Sequence, residues 1–424
     1  MNHAMRLFGC SVVMAMVLGV FGCSRSDDGE PPKTADENGS SDVEEGLVCE
    51  GSGVSKTPWV LAIDETSAKI RWEACREGVS PELTWKREDG GEAKKAVAQV
   101  APFVVTETYK LPFNPEGPHD WEGTYYMHEA ALTGLEPSTC YSYELTADAS
   151  AKGRFCTARK AGDSFRFMVI GDTNPSLGNS TSQLLEKNLP ANPDFTIHTG
   201  DLQYYASLIE SWANWWPKMQ PLLAQGALLP AVGNHEFEKP KEFELYYERF
   251  FDGAGFDGTS RYYRFSSGGV WFFSADTEQD LGPDSEQGKW LAEGLAFAKK
   301  QPGFRFSIVY LHRPWITCGD KSNDPELRQA WEPVFVENDV KLVIFGHLHG
   351  YERFEVPGLT YITSGGGGAV LYDLDKNLDR PECELRKAAG AFYNATIFEV
   401  EAGKLRGITK DEKGEVRDEF EIPL

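Results

Sequence analysis

Basic residues are in deficit: 42 lysines and arginines face 65 aspartates and glutamates, a net charge of −23 over 424 residues. That balance lacks the cationic face on which nucleic-acid binding depends, so no nucleic-acid-binding surface is expected. Long apolar runs are missing too. The longest, Leu7 to Phe21, has fifteen residues, short of the roughly 20 that a membrane-spanning helix needs. There is no Cys-x-x-Cys pair, which argues against a zinc knuckle. The glycine run Gly365 to Gly368 is not followed by Gly-Lys-Ser/Thr, which excludes a P-loop. No internal repeat is visible. With 41% hydrophobic and 25% charged residues the composition is that of a folded globular protein of two or three domains.

What is present begins with a leader. Arg6 precedes the apolar run, which ends Val20-Phe21-Gly22-Cys23. The pattern fits a signal peptide over residues 1–22 and resembles a bacterial lipobox, in which the cysteine is lipidated. That resemblance implies a lipid anchor on Cys23 as the sole membrane attachment, and a place in the cell envelope, at the outer membrane or cell surface. Residues 23–46 hold eight acids, two bases and almost nothing apolar; such a segment cannot offset its ordering entropy and reads as a flexible tether. Setting aside Cys10 and Cys23, six of the eight cysteines remain. An exported chain can pair them. Fifteen pairings exist; Cys140 and Cys156 lie symmetrically about a hairpin turn at Asp148 and could face each other across two strands, and Cys49–Cys75 with Cys318–Cys383 is the expectation for the other four, whose pairing the sequence leaves open.

Two folded units are expected. Over residues 47–160 short alternating runs, such as Ala68 to Trp72 and Tyr141 to Leu145, are separated by turns, the pattern of an all-β sandwich. The stretch Leu132 to Tyr141 resembles the tyrosine corner of a fibronectin type III-like domain, with Trp72 as the buried tryptophan. Nothing catalytic gathers here, and His119 and His128 are read as structural. Over residues 164–424 fully apolar runs alternate with helical stretches, which predicts an α/β domain. Strands are expected at Phe165–Ile170, Phe195–Thr199, Leu228–Val232, Trp271–Ala275, Phe304–Leu311, Val340–Phe345 and Leu359–Thr363. Helices are expected at Tyr205–Met219, its tryptophans facing the core, and at Ser285–Lys300, capped by Asp284.

Five of these strands end in polar clusters: Gly171-Asp172-Thr173-Asn174, Gly200-Asp201-Leu202-Gln203-Tyr204, Gly233-Asn234-His235-Glu236, His312, and Gly346-His347-Leu348-His349. Ligands of open α/β sheets bind beyond the carboxyl ends of the strands, so these side chains can converge. Half of the eight histidines lie in these clusters. Oxygen and nitrogen donors without sulfur suit zinc, manganese or iron.

In this order the motifs resemble those of calcineurin-like metallophosphoesterases, and among them the purple acid phosphatases. The continuation Gly350 to Arg353 and the run Tyr361 to Gly368 resemble that family as well, as does a sandwich placed before the catalytic domain. The resemblance implies a four-layer αββα sandwich holding two metal ions, ferric iron with zinc, manganese or ferrous iron. Asp172, Asp201, Tyr204 and His349 would hold the first ion. Asp201, Asn234, His312 and His347 would hold the second, with Asp201 shared. It implies an enzyme that cleaves small phosphate monoesters with a metal-bound hydroxide. His235 would assist the phosphoryl group or the leaving oxygen, and Glu236 would orient its loop. Asn174 stands where the purple enzymes have glycine. No histidine lies between His312 and His347, where plant members carry substrate-binding ones. Arg313 reads as a salt-bridged surface residue. The competing readings are a phosphodiesterase acting on nucleotides or lipid headgroups, and a non-catalytic surface-binding protein.

Overall fold

The computed structural model describes residues 49–106, 121–204, 212–239, 241–255 and 257–424. The leader, Cys23, the tether, His119 and positions 205–211 of the first expected helix lie outside the described residues.

Residues 54–156 form two antiparallel four-stranded arrangements. One orders Val54–Leu61, Ser67–Ala74, Gly123–Thr133 and Gln99–Val105; the other orders Lys94–Val97, Glu82–Arg87, Cys140–Leu145 and Lys152–Cys156. Alternation buries one face of each, and Trp72 lies fully inside, stacked on His128 with 4.9 Å between ring centroids. Tyr141 is buried and its hydroxyl accepts from the Glu136 N–H at 2.8 Å. Cys140 and Cys156 are direct cross-strand partners and form a disulfide. Cys49–Cys75 and Cys318–Cys383 are the other two.

In the second half, Phe165–Ile170, Phe195–His198 and Ala227–Pro230 run parallel, with Ile170, His198 and Pro230 in register. Ala395–Glu401, Lys404–Lys410 and Val416–Pro423 extend this sheet on the other side. A second sheet carries Val270–Ser274, Phe306–Tyr310, Val340–Phe345 and Leu359–Ser364 in parallel, flanked by antiparallel strands. The two sheets meet through aromatic side chains. Phe195, for example, meets Phe272 edge-on at 5.3 Å, and each such buried ring contributes about 1.5–3 kcal/mol. Ser180–Asn188 and Trp212–Leu223 accompany the first sheet. Glu286–Ala298 and Pro325–Glu337 cover the second, burying Leu291, Leu295, Trp331 and Phe335. The layering is αββα.

The helices depart from expectation: Ser180–Asn188 was not expected, and the first expected helix continues to Leu223. The Glu286–Ala298 helix is capped by Ser285, whose Oγ accepts from the Gly288 N–H at 2.9 Å, rather than by Asp284; the helix starts one residue later, which puts Ser285 within reach of the free N–H groups. Pro325–Glu337 was not foreseen, because Pro333 interrupts its pattern. It starts on a Pro at its first position, where the missing N–H costs nothing, and on an Asp324 cap.

The sheets of the two halves are joined. Val60 pairs with Ala227, so one ten-stranded sheet runs through both. Trp59 and Trp216 meet edge-on at 4.7 Å, and the Trp59 indole donates to the Phe250 carbonyl at 3.0 Å.

Candidate metal centre

Because the parallel strands end level, the residues that follow them emerge side by side. The chain must then turn at once, and it does so with three of the expected ligands in the left-handed region: Asp172 at φ 56°, Asp201 at φ 53° and His347 at φ 65°. Non-glycine residues adopt this conformation at a cost, and such strain clusters at functional sites. The neighbouring glycines have no spare room. A Cβ at Gly233 would strike the Asp201 carboxylate, and one at Gly346 would strike that of Asp172.

The side chains gather into two groups that share Asp201. In the first, the ligand atoms of Asp172, Asp201 and His349 all lie within 4.8 Å of one another. Tyr204 Oη joins them, 3.3 Å from Asp172 Oδ1, 3.4 Å from Asp201 Oδ2 and 3.2 Å from His349 Nε2. In the second, Asp201, His312 and His347 meet the same 4.8 Å limit, and Asn234 Oδ1 lies 3.2 Å from His312 Nε2. All seven residues expected as ligands are therefore brought together. Asn174 is buried, with its Oδ1 unbonded.

The surroundings set which ring nitrogen faces inward. His312 Nδ1 lies 2.8 Å from the Thr199 carbonyl, and His349 Nδ1 lies 2.7 Å from that of Val370. Each Nδ1 therefore carries the proton, and each Nε2 turns a lone pair toward the carboxylates. His312 Nε2 sits 3.2 Å from Asp201 Oδ2 and 3.2 Å from His347 Nδ1. With the proton on its Nδ1, the His312 Nε2 lone pair and the Asp201 oxygen are both acceptors, and they repel unless a positive charge, a proton or a cation, stands between them. Burial opposes a charge on His312, yet Asp201 and Asp172 push its pKa up to about 9; the carboxylates call for a cation at this point. His347 is pushed down to about 2 by burial and by the charges of His312 and Lys321, and stays in the neutral, ligating form. The donor set fits two cations with one shared carboxylate.

Glu236 orients the loop. Its carboxylate accepts from the backbone N–H groups of Asp201, Leu202 and Gly233 at 3.0, 2.8 and 2.7 Å, tying two strand ends together. His235 stands at the mouth, with Nε2 3.8 Å from Asp201 Oδ2 and Nδ1 2.8 Å from Glu238 Oε1. Burial lowers its pKa, but Glu238 and Asp201 outweigh it and raise the pKa above the usual value.

Arg313 is not merely a surface residue. It does pair with Glu278, at 2.5 and 3.0 Å, but its Nη1 also lies 3.3 Å from His347 Nε2. Tyr372, not singled out by sequence, stacks on the His349 ring at 4.2 Å. Its distance from every strand-end motif hid it.

Comparison with known proteins agrees with this geometry. Residues 165–351 match the calcineurin-like phosphoesterase family. The chain is 26% identical over 294 residues to probable purple acid phosphatase 20 of Arabidopsis thaliana, an alignment covering 64% of this chain and 68% of that protein. It is 29% identical over 331 residues to an uncharacterized protein of Mycobacterium tuberculosis, covering 63% of this chain and 62% of the relative. Among solved structures, a purple acid phosphatase from yellow lupin (Lupinus luteus) seeds superposes with a TM-score of 0.67 at 18% identity, covering 86% of this chain and 74% of the lupin chain. That likeness speaks to the fold. Residues 165–351 are thus a calcineurin-like phosphoesterase domain, which makes the protein a hydrolase, similar in sequence to the purple acid phosphatases.

Proposed function

We propose that the protein hydrolyses small phosphate monoesters at a two-cation centre, and that it does so outside the cytoplasm, tethered to the envelope through Cys23. The observation that carries the reaction is the shared Asp201, flanked by two complete donor groups. A bound pair of cations supplies an acidified water and neutralises phosphoryl oxygens. The protein's own residues do the rest. Asp172 and Asp201 fix the spacing of the two groups, and the backbone N–H groups of His347 and His235 hold those carboxylates at 3.0 and 2.9 Å. His235, whose pKa Glu238 and Asp201 raise, faces the shared carboxylate from the open side, where a leaving oxygen needs a proton. The phenol of Tyr204 suits ferric iron in the first group, with zinc, manganese or ferrous iron in the second. A visible absorption band that Tyr204→Phe abolishes would report that bond. Support for export comes from the three disulfides, which belong to oxidising compartments.

The test compares p-nitrophenyl phosphate with bis(p-nitrophenyl) phosphate on the metal-loaded protein. The monoester should have the higher kcat/KM; faster diester turnover would make this a phosphodiesterase. His235→Ala should slow an alkyl phosphate by roughly 10²-fold and p-nitrophenyl phosphate much less, since nitrophenolate leaves without a proton.

A further inference from the structure

The acidic surface makes one cavity conspicuous. It has a volume of about 420 Å³ and borders His347, so it opens beside the second donor group. Its lining includes Arg313, Lys321, Lys376 and Arg380 against a single carboxylate, Asp320. In a chain of net charge −23 this is a local reversal of sign. Two of the four cations are already neutralised: Arg313 by Glu278, and Lys376 by Asp320 at 2.6 Å. The other two are not. Among the described residues the Arg380 guanidinium bonds neutral acceptors alone, the Thr317 and Lys321 carbonyls and Asn323 Oδ1. Lys321 is half-buried, and among the described residues its ammonium makes no hydrogen bond and no ion pair. It rests over the Tyr372 ring at 4.5 Å, the same ring that stacks on His349.

The cavity is also built rather than accidental. The Cys318–Cys383 disulfide locks the loop that carries Lys321 against the segment that carries Lys376 and Arg380. Asn377 N–H donates to the Cys318 carbonyl at 2.8 Å, and Arg380 holds the Lys321 carbonyl at 3.0 Å. Placing unpaired cations in a rigid, partly desolvated recess costs stability, and an anionic ligand recovers that cost. The reacting phosphoryl group belongs at the two donor groups; of their seven residues only His347 lines the cavity, so Lys321 and Arg380 offer a place beside that group for a second anion on the same molecule.

We infer that the preferred substrate carries a second phosphate on its leaving portion, bound by Lys321 and Arg380 in the cavity beside His347. The inference rests on the monoesterase reading above and narrows its substrate class. Lys321 and Arg380 set specificity; neither touches the reacting bond.

The experiment measures phosphate release from fructose 1,6-bisphosphate and fructose 6-phosphate by the metal-loaded full chain, with the wild type and Lys321→Gln. The wild type should favour the bisphosphate at least tenfold in kcat/KM, mainly through KM. Lys321→Gln should remove most of that preference, its loss in kcat/KM being at least fivefold greater for the bisphosphate than for fructose 6-phosphate, because the missing contact is to the second anion. Equal kcat/KM for the two esters in the wild type would overturn the inference. So would a Lys321→Gln loss equal on both, which would place the ammonium on the reacting phosphoryl group instead. Failure to hydrolyse either ester, or p-nitrophenyl phosphate, would sink the monoesterase reading and is distinguishable from both. Arg380→Gln gives an independent check, with circular dichroism showing that the loop it braces has stayed folded.

Discussion

The two halves of the molecule are both sheet-rich and both disulfide-bonded, yet they treat buried polar groups in opposite ways. In the first half the buried charges are paired off, one of them with a residue of the second half. Glu73, fully buried, meets Arg249 in an ion pair and is approached by Lys56 at 3.8 Å and by the Ser55 hydroxyl at 3.0 Å. Arg71 meets Glu129 at 2.6 Å. In the second half carboxylates and imidazoles are turned toward one another at the strand ends, acceptor against acceptor. The lesson is that burial of charge does not by itself mark a site. A satisfied pair holds a fold together, whereas an arrangement left short of positive charge waits for a ligand.

Three experiments break or sharpen that contrast. The largest effect is expected from Asp201→Asn, which takes the shared charge from both donor groups: kcat/KM should fall by roughly 10³-fold or more, and metal analysis should show both ions weakened. Activity retained with a full metal complement would end the distinction between the halves. Next comes Glu73→Gln, which strands the Arg249 guanidinium, itself lying 4.7 Å and 4.6 Å over the rings of Phe103 and Tyr125. Stability should drop by about 3–5 kcal/mol, and Glu73→Met with Arg249→Met should recover most of it. Denaturant unfolding measures both, and kcat should not change. A kcat that falls in step with stability would mean that the first half takes part in the chemistry.

The smallest effect concerns Glu242, a buried carboxyl of the second half that accepts from the Lys239 N–H at 3.0 Å and from the Gln203 amide. Burial, reinforced by Glu236, pushes its pKa up to about 9. A carboxyl whose pKa is higher folded than unfolded stabilises the fold below its unfolded pKa of about 4.5. That contribution is lost as the pH climbs toward 9, because the unfolded chain ionises first. The wild type should therefore lose up to about 4 kcal/mol more stability between pH 5 and pH 8 than Glu242→Gln does, as read from urea midpoints. The glutamine can donate to Gln203 Oε1, which is otherwise unbonded. Parallel curves for the two proteins would show the carboxyl ionised in the fold.

Much of the site was legible because the strands that carry it are apolar on both faces and end abruptly in glycine and a polar residue. Phe165–Ile170 and Val340–Phe345 fall where their sequences place them, and their ends bring Asp172 and His347 to one point. The hairpin disulfide Cys140–Cys156 followed from symmetry about Asp148. Other features depend on contacts that no local pattern encodes. The Val60–Ala227 pairing joins residues of two different alternations, so the shared sheet was hidden. Lys321, Tyr372 and Arg380 lie on loops without period, and the Cys318–Cys383 bridge, the Arg380 hydrogen bonds and the Tyr372–His349 stack draw them to the donor groups. Ser285 and Asp284 are both good caps, and the register of a whole helix decided between them.

The sheet that passes from one half to the other has a mechanical consequence. With Trp59, Trp216 and the Glu73–Arg249 pair stitched along the same seam, opening either half tears strands from the other. The folded chain should therefore melt in a single calorimetric transition, and a protease that nicks the seam should release the metal-binding edge together with the sandwich rather than shave one module from an intact neighbour.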